Sequence, residues 1–514
     1  MTFIVSTFQV ILYFAVMLSM IFLVAMSLYQ LFLVISYRRN RGDDPVPETL
    51  YENTDLPVVT IQLPVYNEGP LAEQILRLAA AVDYPADKLE IQYLDDSDDG
   101  VTTDLAVKVI EQLRAANPDL NISYLRRTDR TGFKAGALKL GAEHAKGEFL
   151  AIFDADFLIP EDFLRRTIHF FNTPSVGAVQ ARWDYTNSDT SLFARLQANK
   201  LDSHQMFEQT ARERMGLVTI FHGTAGIWRR KTLDQAGGWD CISEVEDVEL
   251  TIRAATKDWK LVYLDHYRIF SELPENVNAF LRQQMRWRRG WSRVVRHYSK
   301  TIIKSDMPVL HRVDLLVRIN LTWGPIAGLI ATLGVLPVFL VAKELGLTAP
   351  TFLLYTFSLL LGMIIKHYET KTFREDRQPR KALDVHPLLA ILPLNYIVMS
   401  LGTLWPLAHA TFEGFGKSKT WEVTPKSGTT VNSSGHAAMD RKRPPSYVFG
   451  TIALGVISAV LSLISLLNLN VLPAIFYAML ALGCGLNGLM LMQFFGYSTG
   501  LARPITRALI GQDR

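Results

Sequence analysis

Cysteine is nearly absent from the 514-residue chain, which has only Cys241 and Cys484. Two cysteines so far apart support neither a disulfide framework nor a zinc site. Charged side chains are absent from one long apolar region, residues Phe8–Ile35. This run exceeds the roughly 20 residues that cross a bilayer, and no basic residue precedes it, so it predicts a spanning helix rather than a cleaved signal peptide.

Long apolar runs are also missing from residues 42–310, which are rich in charge and predict a water-soluble domain. After Arg312 the apolar runs return, at Leu315–Val341, Thr351–Ile365, Pro387–Ala410, Tyr447–Leu467 and Val471–Phe495. The run at Pro387–Ala410 contains three prolines, which favours a broken or interfacial segment over a straight span. We therefore predict five spanning helices, counting Phe8–Ile35 and leaving out Pro387–Ala410. The chain then has three parts: an N-terminal helix with its basic flank (1–41), a soluble domain with interfacial helices (42–310) and a membrane region (311–514).

Basic residues determine the expected orientation in the membrane. An arginine-rich stretch follows the first apolar run at 37–41, and further basic stretches lie at 366–384 and 439–445. Because positively charged loops stay in the cytoplasm, we expect the soluble domain, the loop 411–445 and the C terminus on that side. The predicted protein is integral to a lipid bilayer, the plasma or inner membrane, and a nucleic-acid partner is not expected.

Strand and helix patterns alternate in the first half of the soluble domain. Apolar strand patterns lie at 57–68, 89–99, 121–127, 147–156 and 176–182, with helical patterns at 71–81 and 102–116. This alternation predicts an α/β fold with a parallel sheet covered on both faces. Ligands of such sheets bind at the carboxyl ends of the strands.

Polar side chains follow three of these strands: Asn67 and Glu68, Asp95 and Asp96, and Asp154 and Asp156. One acidic strand end is usually a turn or a helix cap, but three at one sheet edge indicate a site. Clustered carboxylates repel each other unless a cation lies between them. Mg²⁺ and Mn²⁺ accept one or two carboxylates together with substrate phosphate. The pattern Asp154-Ala155-Asp156 therefore predicts a site for a metal-bound nucleoside diphosphate.

Eight motifs follow one another in a fixed order: LPVYNE, LDDSDD, GFKAGAL, FDADF, FHGTAG, EVEDVEL, QQMRW and WEVTPK. In this order they resemble the processive, membrane-embedded, inverting glycosyltransferases of family 2, including the plant cellulose-synthase-like glucomannan synthases and bacterial cellulose synthase. The resemblance covers about residues 55–430. It implies a GT-A type nucleotide-diphospho-sugar transferase domain inserted between transmembrane helices.

The resemblance also implies roles for individual residues. On the donor side these are Tyr66, Asn67 and Glu68 in the first nucleotide-binding turn, Asp95 or Asp96 at the base and ribose, Lys134 and Arg286 at the phosphates, and Asp154 and Asp156 at the metal and diphosphate. Asp247 would be the catalytic base, and Gln283 and Trp287 would bind the acceptor. Taken alone, the stretch around Asp247 also fits a helix with an acidic first turn. Residues 281–300 also fit a basic, aromatic helix at the bilayer surface.

The stretch Lys419–Lys426 resembles the gating loop of cellulose synthases, through Trp421, Val423, Thr424 and Lys426. Such a loop would cover the nucleotide and exclude water. Trp421 replaces the usual phenylalanine, which leaves its contact open, and a plain linker is the alternative. His222, in FHGTAG, is left outside the catalytic set because a lone histidine is more often a packing residue.

These features predict an inverting, processive enzyme that transfers a hexose from UDP-glucose or GDP-mannose to a growing β-glucan, mannan or glucomannan. It would use Mg²⁺ or Mn²⁺ and pass the glycan through the membrane. A non-processive enzyme that glycosylates a lipid acceptor is the first alternative. A non-catalytic membrane scaffold is the second, and the intact residues Asp154, Asp156, Asp247 and Trp287 argue against it. The sequence specifies neither the linkage nor any accessory subunit.

Overall fold

A seven-stranded sheet forms the centre of the soluble domain, in the strand order β3-β2-β1-β4-β6-β5-β7. The computed structural model describes residues 2–40, 42–240, 242–345, 347–376, 396–416 and 444–494. The strands are β1 (Val59–Val65), β2 (Leu89–Asp95), β3 (Asn121–Arg126), β4 (Phe149–Ile152), β5 (Val176–Tyr185), β6 (Gly226–Arg229) and β7 (Lys260–Ser271).

Six of the strands run in one direction and β6 runs in the other. β1 is parallel to β2 and β4, β2 to β3, and β5 to β7, whereas β6 is antiparallel to both β4 and β5. The sequence predicted β1 to β5 and a purely parallel sheet, so the expectation is wrong at β6. That strand has only four residues, too few for an apolar alternation to be visible.

Helices cover both faces of the sheet. The helices of the first part of the chain are α1 (Thr2–Arg39), α2 (Leu71–Ala80), α3 (Val101–Ala116), α4 (Phe133–His144), α5 (Phe163–Thr167), α6 (Leu192–Asp202), α7 (Ala211–Arg214), α8 (Arg230–Gln235), α9 (Glu246–Ala255) and α10 (Val277–Lys304). Because strand side chains alternate in direction, Ile61 and Ala151 pack with α2 and α3 on one face, while Leu150 and Ile152 pack with α4 and α9 on the other. A π-helix, Ser203–Thr210, joins α6 to α7.

The remaining helices are mostly apolar. They are α11 (Val309–Asn320), α12 (Gly324–Glu344), α13 (Thr348–Asp376), α14 (Leu404–Gly414), α15 (Ser446–Leu467) and α16 (Val471–Phe494). Four helices in the described part of the chain are long and apolar enough to cross a membrane, at Thr7–Arg39, Val309–Val335, Ser446–Leu467 and Pro473–Met492. The fifth predicted span falls in α13, whose apolar stretch Thr348–Gly362 is shorter. Further along α13, Glu369 is buried and accepts hydrogen bonds from Gln30 and Ser203.

Buried ion pairs join the sheet domain to the apolar helices. On α7, the Arg212 guanidinium lies 3.1 Å from the carboxylate of Asp314 on α11, and Tyr29 of α1 donates a hydrogen bond to the same carboxylate. Within the domain, Arg182 of β5 pairs with Asp202 at 2.8 Å and with Asp265 at 2.7 Å. These contacts fix α6 and the π-helix after it between the sheet and the apolar helices.

Candidate active site

A cavity of about 570 Å³ lies at the carboxyl ends of β1, β2 and β4. Tyr66, Asp96 and Asp154 follow these strands closely and form one wall, and α9 and α10 form the opposite wall. Ten of the residues predicted from the sequence line it: Tyr66, Glu68, Asp96, Lys134, Asp154, Asp156, Asp247, Gln283, Arg286 and Trp287. The cavity thus brings together the predicted donor, acceptor and base residues, whose individual roles stay predictions.

Asp95 is not on the cavity wall. Its side chain is buried and accepts hydrogen bonds from the Ser97 backbone at 2.8 Å, the Thr103 hydroxyl at 2.8 Å and the Tyr124 hydroxyl at 2.6 Å. These bonds hold the turn after β2. Of the two aspartates proposed for the base and ribose, Asp96 is the one that a ligand in the cavity can reach.

Asn67 also lies off the cavity wall and ties two strand ends together. Its φ angle is +54°, a left-handed conformation that asparagine tolerates better than most residues. Its side-chain oxygen accepts hydrogen bonds from the backbone of Asp98 at 3.0 Å and of Asp99 at 3.2 Å. The gating-type residues Trp421, Val423, Thr424 and Lys426 lie outside the described residues.

Lys134, in the first turn of α4, reaches across the cavity to the end of β4. Its Nζ lies 2.5 Å from Oδ1 of Asp154 and donates a hydrogen bond to the Gly223 carbonyl at 3.0 Å. Burial alone would lower the pKa of Lys134, but the carboxylates of Asp154 and Glu246 hold this pKa above its ordinary value. The amine is therefore a fixed positive charge in the cavity.

The residues at the end of β4 suit a divalent ion that binds together with a diphosphate. Asp154 and Asp156 both line the cavity, and the Asp154 side chain is 32% exposed. Among the described residues, no group of three or more His, Cys, Asp or Glu is arranged to hold a metal ion alone. Two carboxylates leave coordination positions for phosphate oxygens and water, as Mg²⁺ and Mn²⁺ prefer.

Asp247 is the second residue of α9 and lies near Lys134. Burial, and next the neighbouring charge of Glu246, raise the pKa of Asp247 to about 8. The Asp247 carboxylate lies close to the backbone of Gly223, where a Cβ atom would be 3.2 Å from it. The φ angle of Gly223 is +82°, which glycine adopts without strain. A carboxyl group with so high a pKa is suited to accept a proton near neutral pH.

Gln283, Arg286 and Trp287 lie on one face of α10, because residues three and four apart are neighbours on a helix. Burial lowers the pKa of Arg286, against the opposing effect of Glu246 and Asp154. The same cavity continues towards the apolar helices, where Thr322 and Ser400 line it. The cavity therefore extends from the strand ends to the apolar helices.

Several residues on the cavity wall were not selected from the sequence. His204 and Glu208 of the π-helix form a pair at 3.0 Å, and the centre of the His222 ring lies 5.4 Å from that of the His204 ring. Burial lowers the pKa of His222 well below its ordinary value, so this ring is neutral. Arg130 also lines the cavity. The only hint in the sequence was its position in RTGFKAG, four residues before Lys134.

Comparisons with known proteins agree with this architecture. Residues 57–290 match the family described as "Glycosyltransferase like family 2". The chain is 40% identical over 268 residues to glucomannan 4-beta-mannosyltransferase 1 of Oryza sativa subsp. japonica, covering 51% of each protein. It is 32% identical over 383 residues to glucomannan 4-beta-mannosyltransferase 7 of Arabidopsis thaliana, covering 73% of this chain and 66% of that protein. The chain thus spans between about half and two thirds of the length of these curated relatives.

Among solved structures, the mannosyltransferase PcManGT from Pyrobaculum calidifontis, in complex with GDP-Man and Mn²⁺, aligns with a TM-score of 0.48 and 22% identity, covering 70% of this chain and 100% of that chain. The family match contains β1 to β7 and the predicted site residues up to Trp287. The fold is a mixed α/β sheet covered by helices, with apolar helices before and after it. The chain therefore carries a family-2 glycosyltransferase domain and is a relative of the plant glucomannan mannosyltransferases.

Proposed function

We propose that this protein is an inverting hexosyltransferase that extends a β-linked glycan, with Asp247 as its catalytic base. One observation carries the proposal: a buried carboxyl group with a pKa of about 8 shares a cavity with charges suited to a nucleoside diphosphate. Those charges are Lys134, Asp154, Asp156 and Arg286.

In the proposed reaction, the acceptor hydroxyl gives its proton to Asp247 and its oxygen attacks the anomeric carbon of the donor. The bond between that carbon and the diphosphate oxygen breaks, and the nucleoside diphosphate leaves. Lys134 and Arg286 stabilise the charge that collects on the leaving group. A divalent ion held by Asp154 and Asp156 would act there as a Lewis acid. A positioned general base contributes about 10²–10⁴-fold to such a rate.

Mannose from GDP-mannose is the proposed donor, and UDP-glucose is the second candidate. The support comes from the rice and Arabidopsis relatives, which are named as glucomannan 4-beta-mannosyltransferases. The acceptor is then the end of a mannan or glucomannan chain. Trp287 would stack on the terminal sugar and Gln283 would hydrogen-bond to it.

We further propose that the enzyme is processive and that its glycan leaves through the apolar helices. The support is the shape of the cavity, which runs from Tyr66 at the sheet edge to Thr322 and Ser400 beside those helices. The catalytic domain would lie in the cytoplasm, and the support is the basic residues that flank the apolar runs. The membrane would be the plasma or inner membrane.

The test uses the purified full-length protein in detergent, with Mn²⁺ and radiolabelled GDP-mannose or UDP-glucose. We expect an ethanol-insoluble product that endo-β-mannanase degrades, and release of one GDP per sugar incorporated. Asp247→Asn should bind GDP as the unchanged protein does but form no product. A short product extracted into organic solvent would instead identify a glycolipid-forming enzyme and overturn the proposed polymer.

A further inference from the structure

The cavity wall beside Tyr66 carries a guanidinium that stacks on aromatic rings and makes no hydrogen bond to the described residues. The Cζ atom of Arg130 lies 3.2 Å from the centre of the Tyr66 ring and 5.6 Å from the centre of the Phe133 ring. Its Nε is buried without a hydrogen-bond partner. Across the described ranges, the guanidinium forms no hydrogen bond and no ion pair. A planar cation so close to a ring lies parallel to it, so its N–H groups point sideways along the ring face.

Arg127, in the same loop, shows the contrast. Its guanidinium pairs with both carboxylate oxygens of Asp96 and donates to the carbonyls of Thr131 and Phe133, each at 2.8 Å. Arg127 therefore uses four of its five N–H donors within the protein and holds the loop in shape. Arg130 instead stacks on Tyr66 and interacts with the charge of the nearby Asp98 carboxylate, which leaves its N–H groups available to a ligand in the cavity.

The position of Arg130 indicates whether it would contact the base or the diphosphate of a nucleotide. β1 lies between β2 and β4 in the sheet. Tyr66 follows β1 and Asp96 follows β2, whereas Asp154 follows β4 on the other side. Lys134 reaches towards Asp154 and so marks the diphosphate end. Arg130 lies over the flat face of Tyr66, where an aromatic base would stack.

We propose that Arg130 selects the base of the donor nucleotide by pairing two of its N–H groups with O6 and N7 of a guanine stacked on Tyr66. The inference rests on the proposed function only in taking a nucleoside diphosphate as the ligand. Guanine presents two adjacent acceptors on this edge, which match the fork of an arginine. Adenine places a donor beside N7, and uracil places a donor between its two carbonyls. Neither base can accept both N–H groups side by side.

Binding requires a small movement of Arg130. The base needs the ring face that the guanidinium now covers, so the guanidinium moves to the edge of the Tyr66 ring. No hydrogen bond within the described protein is broken by this movement, because Arg130 makes none there. The guanidinium and the base then lie in one plane, as bidentate pairing requires.

The experiment measures equilibrium binding of nucleoside diphosphates to the purified full-length protein with Mn²⁺. The ligands are GDP, UDP, ADP, inosine diphosphate and 7-deaza-GDP, because inosine keeps O6 and N7 whereas 7-deazaguanine lacks N7. The variants are Arg130→Ala, Arg130→Lys and the control Arg126→Ala. Arg126 is an exposed arginine of the same region that does not line the cavity. Thermal unfolding of each variant shows that it is folded.

We expect the unchanged protein to bind GDP and inosine diphosphate with similar affinity, and UDP, ADP and 7-deaza-GDP at least about tenfold more weakly. Arg130→Ala should lose about 10- to 100-fold in GDP affinity and less than about threefold in UDP affinity. Arg130→Lys should keep only part of the preference for GDP over UDP, because an ammonium can reach O6 and N7 of guanine but lacks the rigid fork of arginine. Arg126→Ala should behave as the unchanged protein does.

Three results would overturn the inference. If Arg130→Ala lost GDP affinity and UDP affinity to the same extent, Arg130 would contact the phosphates and not the base. Equal binding of GDP and 7-deaza-GDP would exclude pairing at N7. Tighter binding of UDP than of GDP by the unchanged protein would exclude guanine selection. These results leave the proposed glycosyltransferase reaction standing, whereas failure to bind any nucleoside diphosphate would remove both proposals.

Discussion

The Nζ atom of Lys134 and the Oδ1 atom of Asp154 lie 2.5 Å apart, and this ion pair connects α4 to the end of β4. The same amine donates to the Gly223 carbonyl, one residue after His222. Asp154 is also one of the two carboxylates that would hold a divalent ion. Under the proposed function, donor binding would require Asp154 to exchange Lys134 for a metal–diphosphate, while Lys134 would turn to the phosphate oxygens.

Lys134→Met should reduce sugar transfer by about 10²- to 10³-fold, because it removes a cation that stabilises the leaving diphosphate. GDP affinity should fall as well. Steady-state transfer and GDP binding are measured side by side. Lys139→Met is the control, since Lys139 lies on the exposed side of the same helix α4. Equal activity of the two variants would show that Lys134 has no part in donor binding.

The pH dependence of the reaction should follow Asp247. A base acts only when it has lost its proton, and the pKa of Asp247 is raised to about 8, first by burial and next by Glu246. The value of kcat/KM for the donor should therefore rise with pH up to about 8 and level off above it, since this parameter reports the free enzyme.

Glu246→Gln isolates the electrostatic part of this effect. It removes the neighbouring negative charge that disfavours ionised Asp247, so the midpoint of the pH profile should move to lower pH. Only the midpoint is compared, because the substitution also affects the surroundings of Lys134. A midpoint that stays in place or moves to higher pH would contradict the electrostatic account.

The sequence predicted five of the six parallel strands, β1 to β5, because each shows a run of apolar residues before a polar turn, and it did not predict β7. It could not reveal β6, whose four residues gain their strand conformation only by pairing between β4 and β5. Tertiary context determines such short strands. Tertiary contacts were also not visible in the fifth predicted span. The hydropathy of residues 351–365 does not show that Glu369, further along α13, is buried and accepts hydrogen bonds.

The site was predictable where residue type and strand position coincide. Asp96, Asp154 and Asp156 all follow strands and all line the cavity. Asp95 follows a strand as well, but its side chain points into the domain and binds Thr103 and Tyr124. Neighbouring residues of an extended chain point in opposite directions, and the sequence does not show which of two adjacent aspartates faces the ligand.

Asp156→Ala should abolish metal-dependent transfer, and chelation of the unchanged protein should have the same effect. Asp156 and Asp154 are the two carboxylates at the end of β4 that line the cavity. Mn²⁺ binding in the presence of GDP, followed by electron paramagnetic resonance, gives a readout that does not depend on turnover. Asp104→Ala, an exposed aspartate of α3, is the control. Full activity in chelator would exclude the proposed metal site.

Arg182→Met should destabilise the protein strongly. The Arg182 side chain is 0% exposed and neutralises Asp202 and Asp265, so its removal leaves two buried carboxylates without their cation. Breaking a buried pair costs about 3–5 kcal/mol, or roughly 10 °C in Tm. Arg77→Met removes an exposed pair with Glu73 on α2 and should change Tm by less than about 2 °C. Similar shifts in both variants would contradict this reasoning.

The last prediction concerns the segment expected as a loop at 411–445, of which residues 411–414 belong to α14. The exit of a polymer depends on which side of the membrane this segment occupies. α14 packs along α10, which carries Gln283, Arg286 and Trp287. At the end of α14, Arg289 pairs with Glu413 at 3.3 Å and Arg296 donates to the Phe415 carbonyl at 2.8 Å. A Cβ atom on Gly414 would lie 2.6 Å from a backbone carbonyl of α10. The chain therefore leaves α14 on the side of the catalytic domain.

We accordingly predict that Ser427 is cytoplasmic, although it lies beyond the described residues and an apolar run precedes it. A full crossing by 387–410 would instead leave the basic residues 441–443 outside, against the usual charge bias. Cysteine replaces Ser427 in a protein without Cys241 and Cys484, and intact cells are treated with a membrane-impermeant maleimide. Cysteine at Asn468, between α15 and α16, is the external control. Ser427→Cys should react only after permeabilisation, whereas Asn468→Cys should react in intact cells. If Ser427→Cys and Asn468→Cys were labelled equally in intact cells, the predicted topology would be wrong. A role for this loop at a cytoplasmic nucleotide would then be excluded.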